Sequence, residues 1–239
     1  MAFPQFDCIL SLGSSCAPKR YIDYFVGPSE TNLFDYVGTP RMWSINSLLE
    51  NRWVSIADPD LIKQLPLYRF NIFKMMAPLV TNTRYYIQFA HDAVRLADVK
   101  TGEFQSKIKR RTERFDAKMR ASKRILFIRQ KGDLSKESQK KYNMHIIDPL
   151  VQGKPEEKEA IDQFIPLVKS LYGCPSVTMI YLNDERDGWN EDNTILYVKC
   201  DIIIPYKTAH TTIDTLFKKA NVYTRINEAG TFQTPDPTT

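Results

Sequence analysis

Residues 9–25 read ILSLGSSCAPKRYIDYF, an apolar run that changes abruptly into a Gly-Ser-Ser-Cys turn and then into a basic, aromatic segment. A near-continuous apolar run is typical of a strand that is covered on both faces, so we predict a strand over residues 6–12. The strand ends at Gly13, and either Ser14 or Ser15 can cap the helix that follows. A buried strand that leads directly into a helix is the first unit of an α/β pattern.

The same alternation continues along the chain. The clearest helix carries Phe104, Ile108, Phe115 and Met119 on one face and basic residues on the rest. A second helix runs from Pro155 to about residue 171, and we expect Pro166 to kink or split it. Residues 54–84, interrupted by prolines, are predicted to be irregular. Further strands are predicted over residues 85–92, 124–129, 176–184, 194–199 and 201–205, and a last helix from Thr211 or Thr212.

This order of elements predicts an α/β fold with a mostly parallel sheet, helices on both faces and a Rossmann-like build. We assign residues 1–228 to a single domain. The Pro- and Thr-rich residues 229–239 are predicted to be a disordered tail or the start of a linker.

Composition limits the classes of function. The chain has 239 residues with 43% hydrophobic and 26% charged, which is typical of a soluble globular protein. A net charge of +5 is too weak to predict a nucleic-acid partner, but it suits an anionic substrate such as a nucleotide. Four cysteines without CxxC spacing, no signal peptide and no membrane span predict a cytoplasmic protein without a metal site.

Polar clusters follow three of the predicted strands. These are GSSC after the first strand, HD at residues 91–92, and RQKGD from Arg129. In open α/β sheets, ligands bind beyond the carboxyl ends of the strands. We therefore expect Cys16, His91 and Arg129 to lie near one another.

The Gly-Ser-Ser-Cys turn at residues 13–16 can present a catalytic nucleophile. At the start of a helix, and followed by basic residues 19–20, the thiol of Cys16 is expected to be reactive. His91 would act as its base, oriented by Asp92 or by Asp35. The alternative is that Cys16 is a small residue that packs at a tight turn.

The turn has a second use as a phosphate site. Backbone amides at Ser14, Ser15 and Cys16 can hold a phosphate with help from the two serine hydroxyls, although the complete GxGxxG pattern is missing. We therefore count Gly13, Ser14 and Ser15 among the residues that could bind a nucleotide. Arg129 and Lys131, which leave a buried strand, can grip a diphosphate. The alternative is that these basic residues form a surface ion pair with Asp133.

The helix over residues 107–115 adds another candidate. Its basic face is most simply a solvated surface, but Arg111 lies close to the apolar stripe and can point inward. We include Arg111 among the residues that could contact a nucleotide.

Five segments of the chain carry a family resemblance: SLGSSC (11–16), LFDYVGTP (33–40), IQFAHD (87–92), KIKRRTERF (107–115) and RILFIR (124–129). Together they resemble a bacterial and viral family that is labelled, by prediction, as papain-like cysteine peptidases. Where the family usually shows Pro-Phe-Asp-Trp, this chain has Leu-Phe-Asp-Tyr at residues 33–36. The resemblance implies Cys16 as nucleophile, His91 as base, and Asp92 or Asp35 as third member.

A shorter resemblance points elsewhere. FIRQKGD at residues 127–133 is similar to the HxRxGD stretch of fucosyltransferase-like enzymes, where an arginine contacts the sugar nucleotide, although the histidine is absent here. The alternating fold and the strand-end arginine therefore favour a metal-independent glycosyltransferase. It would use a nucleotide-sugar donor and a carbohydrate acceptor, with His91, Asp92 or Asp35 as base. A papain-like cysteine peptidase or acyltransferase is the alternative, and a non-catalytic binding module is the third.

Overall fold

The computed structural model describes residues 3, 5–14, 16–70, 76–89, 91–93, 95–131, 152–174, 176–182, 184–199, 218 and 222–226. The strand predicted at 201–205, the start of the last helix and the tail at 229–239 lie outside these residues. In chain order the elements are β1 (Cys8–Ser11), α1 (Ala17–Val26), a 3-10 helix (Leu33–Asp35), α2 (Met42–Glu50), β2 (Ile62–Phe70), β3 (Met76–Asn82), β4 (Ile87–Gln88), α3 (Leu96–Val99), α4 (Gly102–Ala121), β5 (Arg124–Gln130), α5 (Glu157–Tyr172), β6 (Ser176–Leu182), β7 (Gly188–Trp189) and β8 (Ile195–Val198).

The larger sheet has the strand order β1-β5-β6-β8-β7. Strands β1, β5, β6 and β8 are parallel, and only β7 runs antiparallel to its neighbour β8. Ile125 of β5 lies beside Cys8 of β1 and beside Val177 of β6. The predicted α/β class with a mostly parallel sheet is confirmed.

Both faces of this sheet are covered. Along β5, Ile125 and Phe127 pack into an apolar cluster with residues of α2, α4 and α5. Leu126 and Ile128 face the other way, into a second cluster with α1 and the helical residues 222–226. Alternate residues of one strand therefore enter two separate cores, which explains why the strand is apolar throughout.

Helix α4 has the predicted apolar stripe. Its buried residues are Phe104, Ile108, Thr112, Phe115 and Met119, spaced by three or four along the helix. The helix begins where the side chain of Thr101 accepts a hydrogen bond from the amide of Phe104 at 3.3 Å. Within the described ranges, no helix is long and apolar enough to cross a membrane.

The predictions from the sequence are wrong where they rest on prolines. Residues 54–84 contain the antiparallel strands β2 and β3 instead of an irregular segment, and β4 extends this second sheet. The β2–β3 register shifts between Leu65 and Tyr68, so Pro66 sits at an irregularity. Helix α5 is likewise one uninterrupted helix, with Pro166 exposed within it. We predicted that these prolines would interrupt the chain's regular structure. Pro66 lies in the edge strand β2 and Pro166 is exposed on its helix, so both are tolerated within their elements.

Candidate functional site

Cys16 lies at the point where β1 passes into α1. It is the N-cap residue of the helix, a position that we had predicted for Ser14 or Ser15, and its own side chain makes no capping hydrogen bond. Its carbonyl accepts a hydrogen bond from the Arg20 amide at 3.4 Å. The side chain is half-buried, and Ser15 lies outside the described residues. The candidate nucleophile therefore stands at the positive end of the helix dipole.

Gly13 makes the turn possible. Its φ is +71°, and a Cβ at this position would lie 2.6 Å from the Thr39 hydroxyl oxygen. It would also lie 3.2 Å from the carbonyl oxygen of Phe34. A side chain here would thus collide with the segment that follows the 3-10 helix.

The buried side chain of Thr39 holds this turn in place. Its hydroxyl accepts a hydrogen bond from the Ser14 amide at 2.8 Å and donates one to the Leu12 carbonyl at 3.0 Å. The Gly13 amide donates to the hydroxyl of Ser11 at 3.1 Å. The Ser14 amide, one of those that we expected to hold a phosphate, is therefore bonded to the protein itself, as is the amide of Gly13.

Arg129 supports the turn from inside the molecule. Its side chain is fully buried, where we expected a residue that reaches a diphosphate. One guanidinium nitrogen donates to the Leu12 carbonyl at 2.9 Å, and another donates to the Thr39 carbonyl at 2.9 Å. The second nitrogen also lies 3.5 Å from the carboxylate of Glu157. Arg129 thus ties the end of β1 to the loop before α2 and to α5.

Glu157 completes this buried polar cluster. Its carboxylate accepts a hydrogen bond from the Met42 amide at 2.8 Å, at the N-terminal end of α2, and one from the Tyr181 hydroxyl at 2.9 Å. Burial raises the pKa of Tyr181, and the charge of Glu157 adds to that rise. In the sequence, Glu157 is only one of several glutamates that begin a helix, so its role gave no signal.

Residues 36–39 connect the turn to the strand that leads to His91. Gly38 and Gln88 exchange two backbone hydrogen bonds, at 2.8 and 2.9 Å. The next residue, Thr39, is the one that holds the Cys16 turn. The segment of residues 36–39 therefore fixes both the turn that carries Cys16 and the end of β4.

Tyr36, in the same segment, lies against His91. The two ring centroids are 5.6 Å apart, with an interplanar angle of 60°. Tyr36 is half-buried, whereas His91 is exposed in a turn. The sequence pattern predicted a strand up to residue 92, but the strand ends at Gln88.

The environment of the Tyr36 hydroxyl includes Cys16. Burial raises the pKa of Tyr36, and the carboxylates of Asp23 and Asp35 add to the rise. Arg20 opposes it, whereas the side chain of Cys16 raises the pKa further. Tyr36 thus contacts His91 and lies within electrostatic range of Cys16.

Asp92 is directed toward α4. Its carboxylate is almost fully buried, and it accepts a hydrogen bond from Arg111 at 2.6 Å, with Lys107 at 3.9 Å. Arg111 points inward, and its described partner is this carboxylate instead of a nucleotide. The pair fixes the turn that carries His91 against the long helix.

Asp35 is fully buried beneath the site. One carboxylate oxygen accepts a hydrogen bond from the Asn32 amide at 2.7 Å and lies 3.9 Å from the Lys19 ammonium. Burial raises the pKa of Asp35 to about 6, against the hydrogen bond from Asn32 and the charge of Lys19, which lower it. Lys19 itself is buried and donates to Asp23 at 2.6 Å and to Ser29. Its charge thus serves this internal network.

Comparison with known protein families shows the family to which the chain belongs. A family model described as "Putative papain-like cysteine peptidase (DUF1796)" matches residues 7–169 of the chain. The chain belongs to this family. The comparisons with curated proteins and with solved structures returned no match. The family description is that of an enzyme, which agrees with the expectation of an enzyme but names a peptidase, not a transferase.

The family match covers every motif on which the resemblance rested. The structure explains why several of them occur together. SLGSSC meets LFDYVGTP through Gly13 and Thr39, and IQFAHD meets KIKRRTERF through Asp92 and Arg111.

Lys131 is the remaining predicted nucleotide contact. Its ammonium lies 3.1 Å from a carboxylate oxygen of Glu185 and 4.0 Å from one of Asp184. Asp133, which we considered as its partner, lies outside the described residues. A surface groove of about 570 Å³ runs along α5 between residues 156 and 166, and none of the predicted site residues lines it.

Proposed function

We propose that the protein is a cysteine-dependent hydrolase or acyltransferase in which Cys16 is the nucleophile and His91 is the base. The observation that carries the proposal is that residues 36–39 hold both partners. Thr39 bonds the turn that presents Cys16, and Gly38 bonds the strand end that precedes His91. Nucleophilic catalysis by cysteine requires a base within hydrogen-bond reach of the thiol, and a segment that is bonded to both supports can hold the two side chains in one arrangement.

The chemistry follows from these two groups. The imidazole of His91 takes the thiol proton, and the sulfur of Cys16 attacks the carbonyl carbon of an acyl substrate. Collapse of the tetrahedral intermediate expels the amine, alcohol or thiol, which takes the proton back from His91. Water or another acceptor, deprotonated by the same imidazole, then attacks the thioester and releases Cys16.

The carboxylates have supporting roles in this proposal. Asp92 holds the His91 turn against α4 through Arg111. Asp35 fixes the segment before Tyr36 through the Asn32 amide. The positive end of the α1 dipole favours the negative charge that develops on the sulfur of Cys16.

Covalent trapping tests this proposal. The protein is mixed with a panel of activated acyl thioesters and nitrophenyl esters and followed by intact mass spectrometry. We expect an acyl adduct, located by peptide mapping at Cys16, that decays as water attacks it. Cys16→Ser should form no adduct there, and His91→Gln should slow both formation and decay. Adducts that form equally in His91→Gln would contradict the assigned base.

A metal-independent glycosyltransferase is the second candidate. The observation that favours it is the parallel sheet, whose carboxyl edge is where such folds bind ligands. Nucleotide binding there would have to use groups other than the Arg129 guanidinium, which is engaged by Leu12 and Thr39. Its substrates would be a nucleotide-sugar and a carbohydrate acceptor.

Thermal unfolding separates the two candidates. A ligand that binds the folded chain alone raises the unfolding midpoint. A rise with one nucleoside diphosphate or sugar nucleotide that persists in Cys16→Ala would support the transferase. Absence of any rise across the panel would leave the cysteine enzyme.

Free thiols at Cys8, Cys16 and Cys174 suit a reducing compartment such as the cytoplasm, where a thiol nucleophile stays active.

A further inference from the structure

Tyr36 contacts one of the two groups to which the proposed function assigns chemistry and lies within electrostatic range of the other. Its ring contacts the His91 ring, and its hydroxyl lies in the electrostatic field of Cys16. We infer that Tyr36 is a positioning residue, whose ring holds the imidazole of His91 in the orientation that serves Cys16. This inference rests on the proposed function and adds a third residue to its site.

The backbone of Tyr36 is well fixed. It follows directly on the 3-10 helix Leu33–Asp35, whose residues are all buried. Asp35 closes the start of that helix by accepting the Asn32 amide at 2.7 Å. Two residues after Tyr36, Gly38 pairs with Gln88. The ring is thus presented from a rigid support on both sides.

The backbone of His91 is fixed less closely. The last regular contact before it is the hydrogen bond from the Phe89 amide to the Val80 carbonyl at 2.8 Å. After it, the Ala93 amide donates to the Phe89 carbonyl at 3.1 Å, which closes a turn around His91. The imidazole itself is exposed, so its orientation depends on side-chain contacts such as the ring of Tyr36.

The contact has the geometry of an aromatic edge interaction. A centroid distance of 5.6 Å and an angle of 60° lie in the range where the edge of one ring meets the face of another. Such a contact fixes ring orientation without using a ring nitrogen. The contact thus constrains the plane of the imidazole through the ring faces and edges alone.

The test uses the pH dependence of Cys16 alkylation by iodoacetamide, followed by peptide mass spectrometry in the whole chain. Tyr36→Phe keeps the ring and removes the hydroxyl, whereas Tyr36→Leu removes the ring. We expect Tyr36→Phe to retain the wild-type profile. Tyr36→Leu should lower the rate at neutral pH by about tenfold, close to the effect of His91→Gln. The double variant Tyr36→Leu/His91→Gln should react like His91→Gln alone.

The outcomes separate this inference from the proposed function. If His91→Gln changes the profile and Tyr36→Leu does not, the positioning role fails and the cysteine site stands. If neither variant changes the profile, the proposed function fails. Equal thermal unfolding midpoints for Tyr36→Phe and Tyr36→Leu would show that loss of rate is not loss of folding. Should Tyr36→Leu unfold, Tyr36→Met, which also lacks the ring, replaces it, and the same two outcomes decide the positioning role.

Discussion

Thr39 and Ser14 are joined by a hydrogen bond of 2.8 Å, from the amide of Ser14 to the hydroxyl of Thr39. The same hydroxyl donates to the carbonyl of Leu12 at 3.0 Å, so one buried side chain bonds both sides of Gly13. The turn that presents Cys16 is therefore held by a residue 23 positions further along the chain, as the numbering shows.

Replacement of Thr39 should loosen this turn. Thr39→Val keeps the shape but leaves the Ser14 amide and the Leu12 carbonyl without this partner, at a cost of about 1–3 kcal/mol in the free energy of unfolding. Thr39→Ser, which keeps the hydroxyl, should cost less. Urea unfolding followed by circular dichroism measures both. Equal losses for the two variants would mean that the methyl group matters and the hydroxyl does not.

Gly13 should tolerate no side chain. Gly13→Ala must adopt a positive φ and place its Cβ 2.6 Å from the Thr39 hydroxyl. Gly173 also has a positive φ, in the left-handed region, but nothing lies within 4 Å of its Cβ position. Gly173→Ala therefore has the conformational cost alone, about 1–2 kcal/mol, and Gly13→Ala should cost roughly 1–3 kcal/mol more. Similar unfolding free energies for the two variants would contradict the close packing of the turn.

The buried Arg129 should matter more for stability than an exposed arginine on the same strand. Arg129→Met removes the donors to Leu12 and Thr39 and leaves Glu157 without its positive neighbour, a loss on the order of 3 kcal/mol. Arg124 is half exposed and pairs with Asp7 at 3.1 Å, so Arg124→Met should cost less than about 1 kcal/mol. Chemical denaturation of both variants compares them, and equal losses would refute the buried role.

Asp35 should make stability depend on pH. Burial raises its pKa to about 6 from the ordinary 3.8, so the folded chain binds this proton more tightly than the unfolded chain does. Stability from this group is greatest below pH 3.8 and falls as the pH rises toward 6. Two pKa units correspond to an upper limit of about 3 kcal/mol.

Comparison with Asp35→Asn isolates that effect. The variant cannot ionise, so the wild type should lose stability relative to it between pH 4 and pH 7, as measured by urea unfolding at several pH values. Asp60→Asn provides a control at an exposed carboxylate. A difference between wild type and Asp35→Asn that stays constant across this range would show that Asp35 does not titrate there.

The sequence predicted the parts of the fold that depend on local patterns. The apolar run of β5 and the stripe of α4 follow directly from the spacing of buried residues. The β2–β3 pair was missed because Pro66 and Pro78 suppress a strand prediction, whereas antiparallel pairing of these two consecutive strands decides it.

The site was predicted only in part for a related reason. Polar residues at strand ends led to the prediction of a site around Cys16 and His91, which stays a prediction. The sequence could not tell which polar groups face inward, so Arg129 was assigned to a ligand although it is fully buried. Thr39 and Tyr36 gave no separate signal, because their roles arise from contacts with residues far away in the chain.

The central claim is that the folded structure activates the thiol of Cys16. The most direct test compares the reactivity of this thiol in the folded and in the unfolded chain. The second-order rate of its alkylation by iodoacetamide at pH 7 is measured in the native chain and in the chain unfolded by urea. Burial alone slows a half-buried thiol, so only activation by its surroundings can make the native rate the faster one. The proposed cysteine enzyme predicts a native rate at least about tenfold higher than the unfolded rate, and a loss of that excess in His91→Gln. A native rate equal to or below the unfolded rate would contradict Cys16 as the nucleophile.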